Sequence, residues 1–303
     1  MLRVGTDCSG IEAPIEALRQ LNISYDHIFS SEIDKYCIKS IKANYNSKII
    51  FGDPDGQFKN GDIRKRDIKN VPDIDLYVCG FPCQPFSTAG ERKGFNDKRG
   101  NIFFSCLEVI KNKQPKYFIL ENVKGLKTHQ KGRTWNIIWN EILKLKEYGY
   151  FIDWKILNTR EYGIPQNRER IFIIGSKEGE IMWPEKKEMD KLENYIDLKD
   201  NTVQKTTRLF YEKINKNSLF IDFNFLKHTK FINSDKWSPC LNTNTGLWCV
   251  LKHRYANTNE YLKLQGFPID FKIIVSKTQL KKQVGNSMSV NVLKVLLKVL
   301  LKN

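Results

Sequence analysis

The segment Asp75-Leu76-Tyr77-Val78-Cys79-Gly80-Phe81-Pro82-Cys83-Gln84-Pro85-Phe86-Ser87 sets an apolar, β-prone run directly against a rigid turn and a cysteine. Proline fixes its own φ and biases the residue before it toward extended geometry, so Pro82 holds the Cys83 thiol at a strand-to-loop corner. The loop end of a strand is where a substrate can reach a nucleophile. A free cysteine beside a turn is more often a buried, inert thiol. The pair therefore gains meaning only from what surrounds it.

On either side, strand and helix signals alternate. Predicted strands at 2–6, 27–30, 76–79 and 117–120 are each followed by a predicted helix, at 13–21, 34–44, 101–111 and 134–147. In the last helix Trp135, Ile138, Trp139, Ile142 and Leu143 recur at helical spacing, a core stripe. Predicted strands at 151–157 and 171–174 lie too close for a crossover and suggest an antiparallel pair at one edge. The pattern implies an α/β protein, Rossmann-like, with a mostly parallel sheet covered on both faces and ligands at the carboxyl ends of its strands. After about Ser176 the period breaks. A charged stretch (177–199) is followed by one rich in aromatic and basic residues, and amphipathic helix returns only at 287–301.

The 303 residues carry a net charge of +16, unevenly placed. Residues 205–303 hold 17 Lys and Arg against 5 Asp and Glu. A basic C-terminal third on a nearly neutral remainder suits a polyanion held through its phosphates. The competing reading is plain solubility in a Lys- and Asn-rich chain. No 18-residue apolar run and no signal pattern are present, so a soluble, unsecreted cytoplasmic protein is expected. The seven cysteines are scattered, as in a reducing compartment, and no Cys/His spacing completes a zinc site.

Nine short motifs occur in order along the chain. They are Asp7-Cys8-Ser9-Gly10-Ile11, Glu32, Gly61-Asp62-Ile63, Pro82-Cys83-Gln84, Arg99-Gly100-Asn101-Ile102-Phe103-Phe104, Glu121-Asn122-Val123, Gln166-Asn167-Arg168-Glu169-Arg170 and, near the end, Leu264-Gln265-Gly266-Phe267-Pro268 with Gln283-Val284-Gly285-Asn286-Ser287. In this order they resemble the DNA (cytosine-5)-methyltransferases over nearly the whole chain. The resemblance implies a discontinuous catalytic domain, 1–177 plus 270–303, whose last helix packs back on the first strand. It also implies a small target-recognition domain, 178–269, facing it across a DNA-sized cleft. The partner would be double-stranded DNA and the chain would act as a monomer. A bacterial, phage or large-virus origin suits it, and a cognate restriction endonuclease is an admissible companion.

C5 of cytosine is a poor nucleophile until the ring's aromaticity is broken. A thiolate adding to C6 does this, and Cys83, at its Pro82 corner, is assigned that role. A free thiol is only a few per cent thiolate at neutral pH, so nearby positive charge, from Arg168 or Arg170, is needed. Glu121, ending an apolar strand, would stay protonated and donate to N3. Arg168 would grip the base or its sugar-phosphate, while Gln166 and Arg170 would be structural or phosphate-facing. The basic, glycine-bearing stretch 84–100, with Gln84, Ser87, Arg92, Lys93 and Arg99 as DNA contacts, would close over an extruded cytosine.

S-adenosylmethionine is the implied cofactor. Cys8, Ser9, Gly10 and Ile11 would line it, with Gly10 allowing close backbone approach. Glu32 would take the ribose hydroxyls, Asp62 the adenine amine, and Ile33 and Ile63 the faces of the ring. Asn286 and Ser287 match the family's late cofactor-side positions. Two departures stand out. Cys8 replaces an aromatic residue, and Glu12 and Ala13 replace glycines. The Glu12 carboxylate is expected to face the cofactor's positive charge.

Three other readings compete with this one. A tRNA-directed relative shares the chemistry but carries a Cys-Phe-Thr motif, absent between Gly175 and Phe267. An inactive DNA-binding relative would not need Cys83, Glu121 and Arg168 together. A nicotinamide oxidoreductase would want Gly-x-Gly-x-x-Gly, whereas Gly10 is followed by Ile-Glu-Ala-Pro.

Overall fold

The protein, a computed structural model, is described at residues 1–82, 102–204, 218–223 and 235–302. Cys83, Gln84, Ser87, Arg92, Lys93 and Arg99 lie outside the described residues. The chain divides into two compact units. The first comprises Met1–Leu157, Glu169–Pro184 and Leu293–Asn303, and the second Asn158–Arg168 and Glu185–Val292.

The first unit is built on a seven-stranded sheet. Its strands are β1 (Leu2–Asp7), β2 (Tyr25–Ser31), β3 (Ile49–Phe51), β4 (Leu76–Gly80), β5 (Tyr117–Val123), β6 (Phe151–Asn158) and β7 (Glu169–Ser176). Their spatial order is β3-β2-β1-β4-β5-β7-β6. From β3 to β5 the neighbours run parallel, and β7 lies antiparallel to β5. The helices α1 (Ala13–Gln20), α2 (Lys35–Asn44), α3 (Ile102–Lys113) and α4 (Arg133–Leu143) supply the expected crossovers and cover. Leu76 through Cys79 and Tyr117 through Leu120 are buried without alternation, as parallel strands covered on both faces require. The three tryptophans Trp135, Trp139 and Trp154 pack on one another, with Trp135 and Trp139 stacked at 5.7 Å.

Strand order explains where ligands can bind. β1 has β2 on one side and β4 on the other, so the chain leaves the sheet in opposite directions at that point. In open sheets of this kind ligands bind outside the carboxyl ends of the strands where the strand order reverses. The loop carrying Gly10 follows β1 and the Pro82 corner follows β4.

The second unit carries a small antiparallel sheet, β8 (Phe220–Asp222), β9 (Leu247–Cys249) and β10 (Arg254–Tyr255), and the helices α5 (Thr258–Gln265) and α6 (Lys277–Asn286). α5 starts with a reciprocal capping box, Asn257 and Glu260 each accepting the other's backbone N–H. Glu260 is also held by buried Arg254, at 2.8 and 2.9 Å. The last helix, α7 (Val290–Leu300), ends within the first unit, where Lys294 donates to Gln20.

The observed units differ from the boundaries expected at 177/178 and 269/270. Residues 158–168 go with the second unit because their side chains bond there. Gln166 Nε2 donates to the Leu264 carbonyl at 2.8 Å, and Thr159 and Ser289 share a hydrogen bond of 2.7 Å. α5 and α6, and with them Asn286 and Ser287, belong to the second unit for the same reason. β3 is an addition to the predicted strands.

Candidate active site

The loop after β1 is held in an unusual backbone shape. Cys8, Gly10 and Glu12 have φ of +50°, +57° and +60°, three left-handed residues in five. A Cβ placed on Gly10 would meet nothing within 4 Å among the described residues, so the space beside it is open to them. Ser9 is buried and ties the loop to β2, its Oγ accepting from the Ser31 amide at 3.0 Å. Ile11 is fully buried beneath the loop.

Glu32 ends β2 and closes the loop from the other side. Its Oε2 accepts from the Gly10 amide at 2.9 Å, and its Oε1 from Ile33 and Asp34 at 2.8 and 3.0 Å. Burial pushes its carboxyl above the usual range, against the pull of these amides. Ile33, beside it, is 74% exposed. Gly61 brings the next loop in, for a Cβ there would sit 2.0 Å from the Glu32 carbonyl oxygen. Asp62 follows, both its oxygens bonded by the Arg64 guanidinium at 2.8 and 2.7 Å, which holds its carboxyl below the usual range. Ile63 is buried.

A deeper contact fixes this Asp62 loop against β1. Arg66 is bidentate to buried Asp7 at 2.7 Å on each branch, and Tyr77 donates to the same carboxylate at 2.7 Å. The guanidinium also lies over the rings of Phe29 and Phe51. Nothing in the sequence singles out Arg66, one of several basic residues in a polar loop.

An open space beside Gly10, an exposed Ile33 and carboxylates at 32 and 62 fit an adenosyl cofactor, with an apolar wall for a ring and acceptors for hydroxyls and an amine.

The end of β5 carries the second group. Glu121 is nearly buried, with Arg170 Nε 3.2 Å from its Oε1. Asn122 is buried and donates to the Phe81 carbonyl at 2.8 Å, so β5 braces the corner that carries Pro82. Pro82 itself is exposed. Cys79, the other cysteine of that segment, is fully buried against Cys106 at 3.3 Å between sulfurs, and burial raises its pKa well above the ordinary thiol range. It is the inert thiol of the pair.

Three assignments change. Arg168, expected to grip the base, is 2% exposed, and its guanidinium donates within the second unit to the carbonyls of Leu241 at 2.6 Å and Ser287 at 2.7 Å. Arg170, expected to be structural or phosphate-facing, is the arginine at Glu121. Glu12, expected to face a cofactor charge, is instead wholly buried between β1 and β2. Gln166 is buried, bonded to Leu264, Gln265 and Leu241. In the second unit Asn286 is exposed at the end of α6 and Ser287 is buried.

Solved structures share this frame. The Dnmt2 methyltransferase of S. pombe superposes with a TM-score of 0.72 at 21% identity, covering 100% of this chain and 99% of that one. A putative DNA modification methyltransferase from an E. coli prophage gives 0.68 at 19% identity, over the full length of both. The fold is therefore shared with these methyltransferases. The family model for C-5 cytosine-specific DNA methylase matches residues 7–302, and this chain belongs to that family. The type II methyltransferase M.NgoBI of Neisseria gonorrhoeae is 36% identical over 297 residues, covering 90% of this chain and 85% of the relative. M1.ScrFI of Lactococcus lactis subsp. cremoris, also type II, is 38% identical over 87% of this chain and 69% of its own length. The orphan methyltransferase M.Rho11sI of Bacillus phage rho11s is 49% identical over 177 residues, 58% of this chain and 33% of that relative's length.

No helix among the described residues is long and apolar enough to cross a membrane. Among the same residues no cluster of His, Cys, Asp or Glu is arranged to hold a metal ion.

Proposed function

We propose that this chain methylates C5 of cytosine in double-stranded DNA, with S-adenosylmethionine as donor and Cys83 as nucleophile. The observation that carries the reading is the Glu121–Arg170 pair at the end of β5, set beside the Asn122-braced corner that leads to Cys83. Glu121 would bind the pyrimidine edge at N3 and the exocyclic amine. Arg170 would orient that carboxyl and supply positive charge where the ring gains electrons. Attack of the Cys83 sulfur on C6 forms an S–C6 bond and moves the C5–C6 π pair toward C5, while a proton at N3 takes up the developing charge. After C5 is alkylated, loss of its proton and of the thiolate restores the ring.

The cofactor, when bound, would supply a methyl group on positively charged sulfur. Glu32 would accept from its ribose hydroxyls, Asp62 from its adenine amine, and Ile33 would cover one face of the ring. Cys8, Ser9, Gly10 and Ile11 would form the loop beneath it, and the second unit's Asn286 and Ser287 stand as further cofactor-side candidates. Gln84, Ser87, Arg92, Lys93 and Arg99 would meet the DNA, with base recognition falling to 180–250. The bacterial and phage relatives, some named type II, support a soluble DNA-modifying enzyme with or without a companion endonuclease.

The test is methyl transfer from labelled S-adenosylmethionine to duplex DNA and to tRNA, side by side, for wild type and Cys83→Ala. Label on DNA that disappears in the variant is expected. Label on RNA alone, or full activity in the variant, would falsify the reading.

A further inference from the structure

The left-handed backbone at Glu12 calls for an explanation. A non-glycine residue at φ +60° is strained, and a glycine would avoid the strain. Glu12 is the N-cap of α1, yet its side chain makes no cap bond to that helix. It turns the other way and is fully buried. Its Oε1 accepts from Thr6 Oγ1 of β1 at 2.6 Å and from Ser30 Oγ of β2 at 2.7 Å, with His27 Nε2 3.5 Å away. Thr6 Oγ1 is in turn 2.7 Å from Ser9 Oγ, which holds Ser31 of β2, and the Glu12 amide donates to the Ser9 carbonyl at 2.9 Å. The four-residue turn Ser9–Glu12 is thus tied at both ends to the tips of two adjacent strands. Gly10, between the ties, presents its amide to Glu32.

We infer that Glu12 is a positioning residue for the cofactor, its buried carboxylate locking the Ser9–Ile11 loop and Glu32 in the shape that receives the adenosyl group. The inference rests on the cofactor reading above and extends it to a residue that touches no ligand. Because ordering the loop is completed during folding, it need not be repeated on binding. Without the carboxylate, that ordering cost falls on the cofactor's affinity and leaves the methyl-transfer step itself untouched.

The experiment compares wild type with Glu12→Gln, Glu12→Ala and Glu12→Gly by calorimetric titration with S-adenosylhomocysteine, by steady-state kinetics and by thermal melting. Glutamine keeps the Oε1 acceptor and should bind within about twofold of wild type. Alanine and glycine should each bind about tenfold more weakly, with KM for S-adenosylmethionine raised in step and kcat at saturation unchanged. Glycine frees the strained φ, so it should melt higher than alanine while showing the same weakened binding, a separation that a purely structural role does not give. If the alanine variant does not fold, Ser30→Ala, which removes one donor, should weaken binding several-fold. Unchanged affinity in folded Glu12→Gly, or a kcat loss at unchanged affinity, overturns the inference alone. Wild-type protein that takes up no S-adenosylhomocysteine overturns the cofactor reading and the inference with it.

Discussion

Arg170 places its Nε 3.2 Å from Oε1 of Glu121 across the β5–β7 ladder, where Val123 faces Arg170 and Glu121 faces Phe172. The two are diagonal neighbours on one face of an antiparallel pair, close enough for long side chains to meet. An arginine so placed fixes a carboxyl group in direction as well as in charge. Glu121→Gln is expected to slow methylation about 10²-fold or more while DNA is still bound. Arg170→Lys should fold normally and lose most activity, since an ammonium cannot reproduce the planar fork. Initial rates and a gel-shift titration on the same preparations check both. An Arg170→Lys enzyme as active as wild type would remove Arg170 from the site.

Arg66 and Asp7 form the buried pair behind the loops that carry Gly10 and Asp62. Removing one partner leaves the other uncompensated, so Arg66→Met should cost roughly 3–5 kcal/mol of stability. The double change Arg66→Met with Asp7→Asn should recover part of that loss. Urea unfolding of these two variants and of Asp7→Asn alone measures it, and additive losses would show the pair is not coupled.

Gly61 lies against backbone rather than against a movable side chain. Gly61→Ala must therefore push the Glu32 carbonyl or its own loop aside, at a cost on the order of 1–3 kcal/mol. Weaker binding of S-adenosylhomocysteine should accompany the lower melting temperature, because Glu32 moves with its carbonyl. Wild-type affinity in a folded variant would separate this contact from the cofactor site.

Glu32 gives a pH dependence with opposite signs for binding and for folding. Burial raises its folded pKa above the unfolded value of about 4.3. Between those two values the folded chain holds the extra proton, so this group's contribution to stability grows as pH falls from above the raised pKa toward 4.3. The ionised acceptor for ribose is lost over the same window. Affinity for S-adenosylhomocysteine should therefore weaken on acidification before a free glutamate would titrate, and Glu32→Gln should flatten that dependence. Titrations at stepped pH give the answer, and a wild-type affinity flat down to pH 4.3 would rule it out.

Much of the first unit was legible because each parallel strand is an unbroken apolar run followed by a helical stripe. Ile49–Phe51 escaped, being three residues long and so without a period to read. The choice between Arg168 and Arg170 was not legible. Residues two apart in an extended segment share a face, and only the ladder register brings one of them to Glu121 while the other is satisfied by carbonyls at 241 and 287. Glu12 misled because the direction of its side chain follows from a positive φ, which glycine-poor sequence does not advertise. Asn122 was visible within its triplet, but its bond to the Phe81 carbonyl joins positions forty-one apart in the chain. The second unit's short strands and polar-faced helices carry little periodicity, and its boundaries depend on long-range bonds such as Gln166 to Leu264.

The rung that pairs Asp7 with Cys79 places the loop after β1 and the corner after β4 on adjoining strands, about 4.8 Å apart. The loop after β1 and the corner after β4 thus inherit their spacing from one backbone ladder rather than from any side chain that mutation can alter. A lineage can exchange whole surface segments while this interval is passed on unchanged.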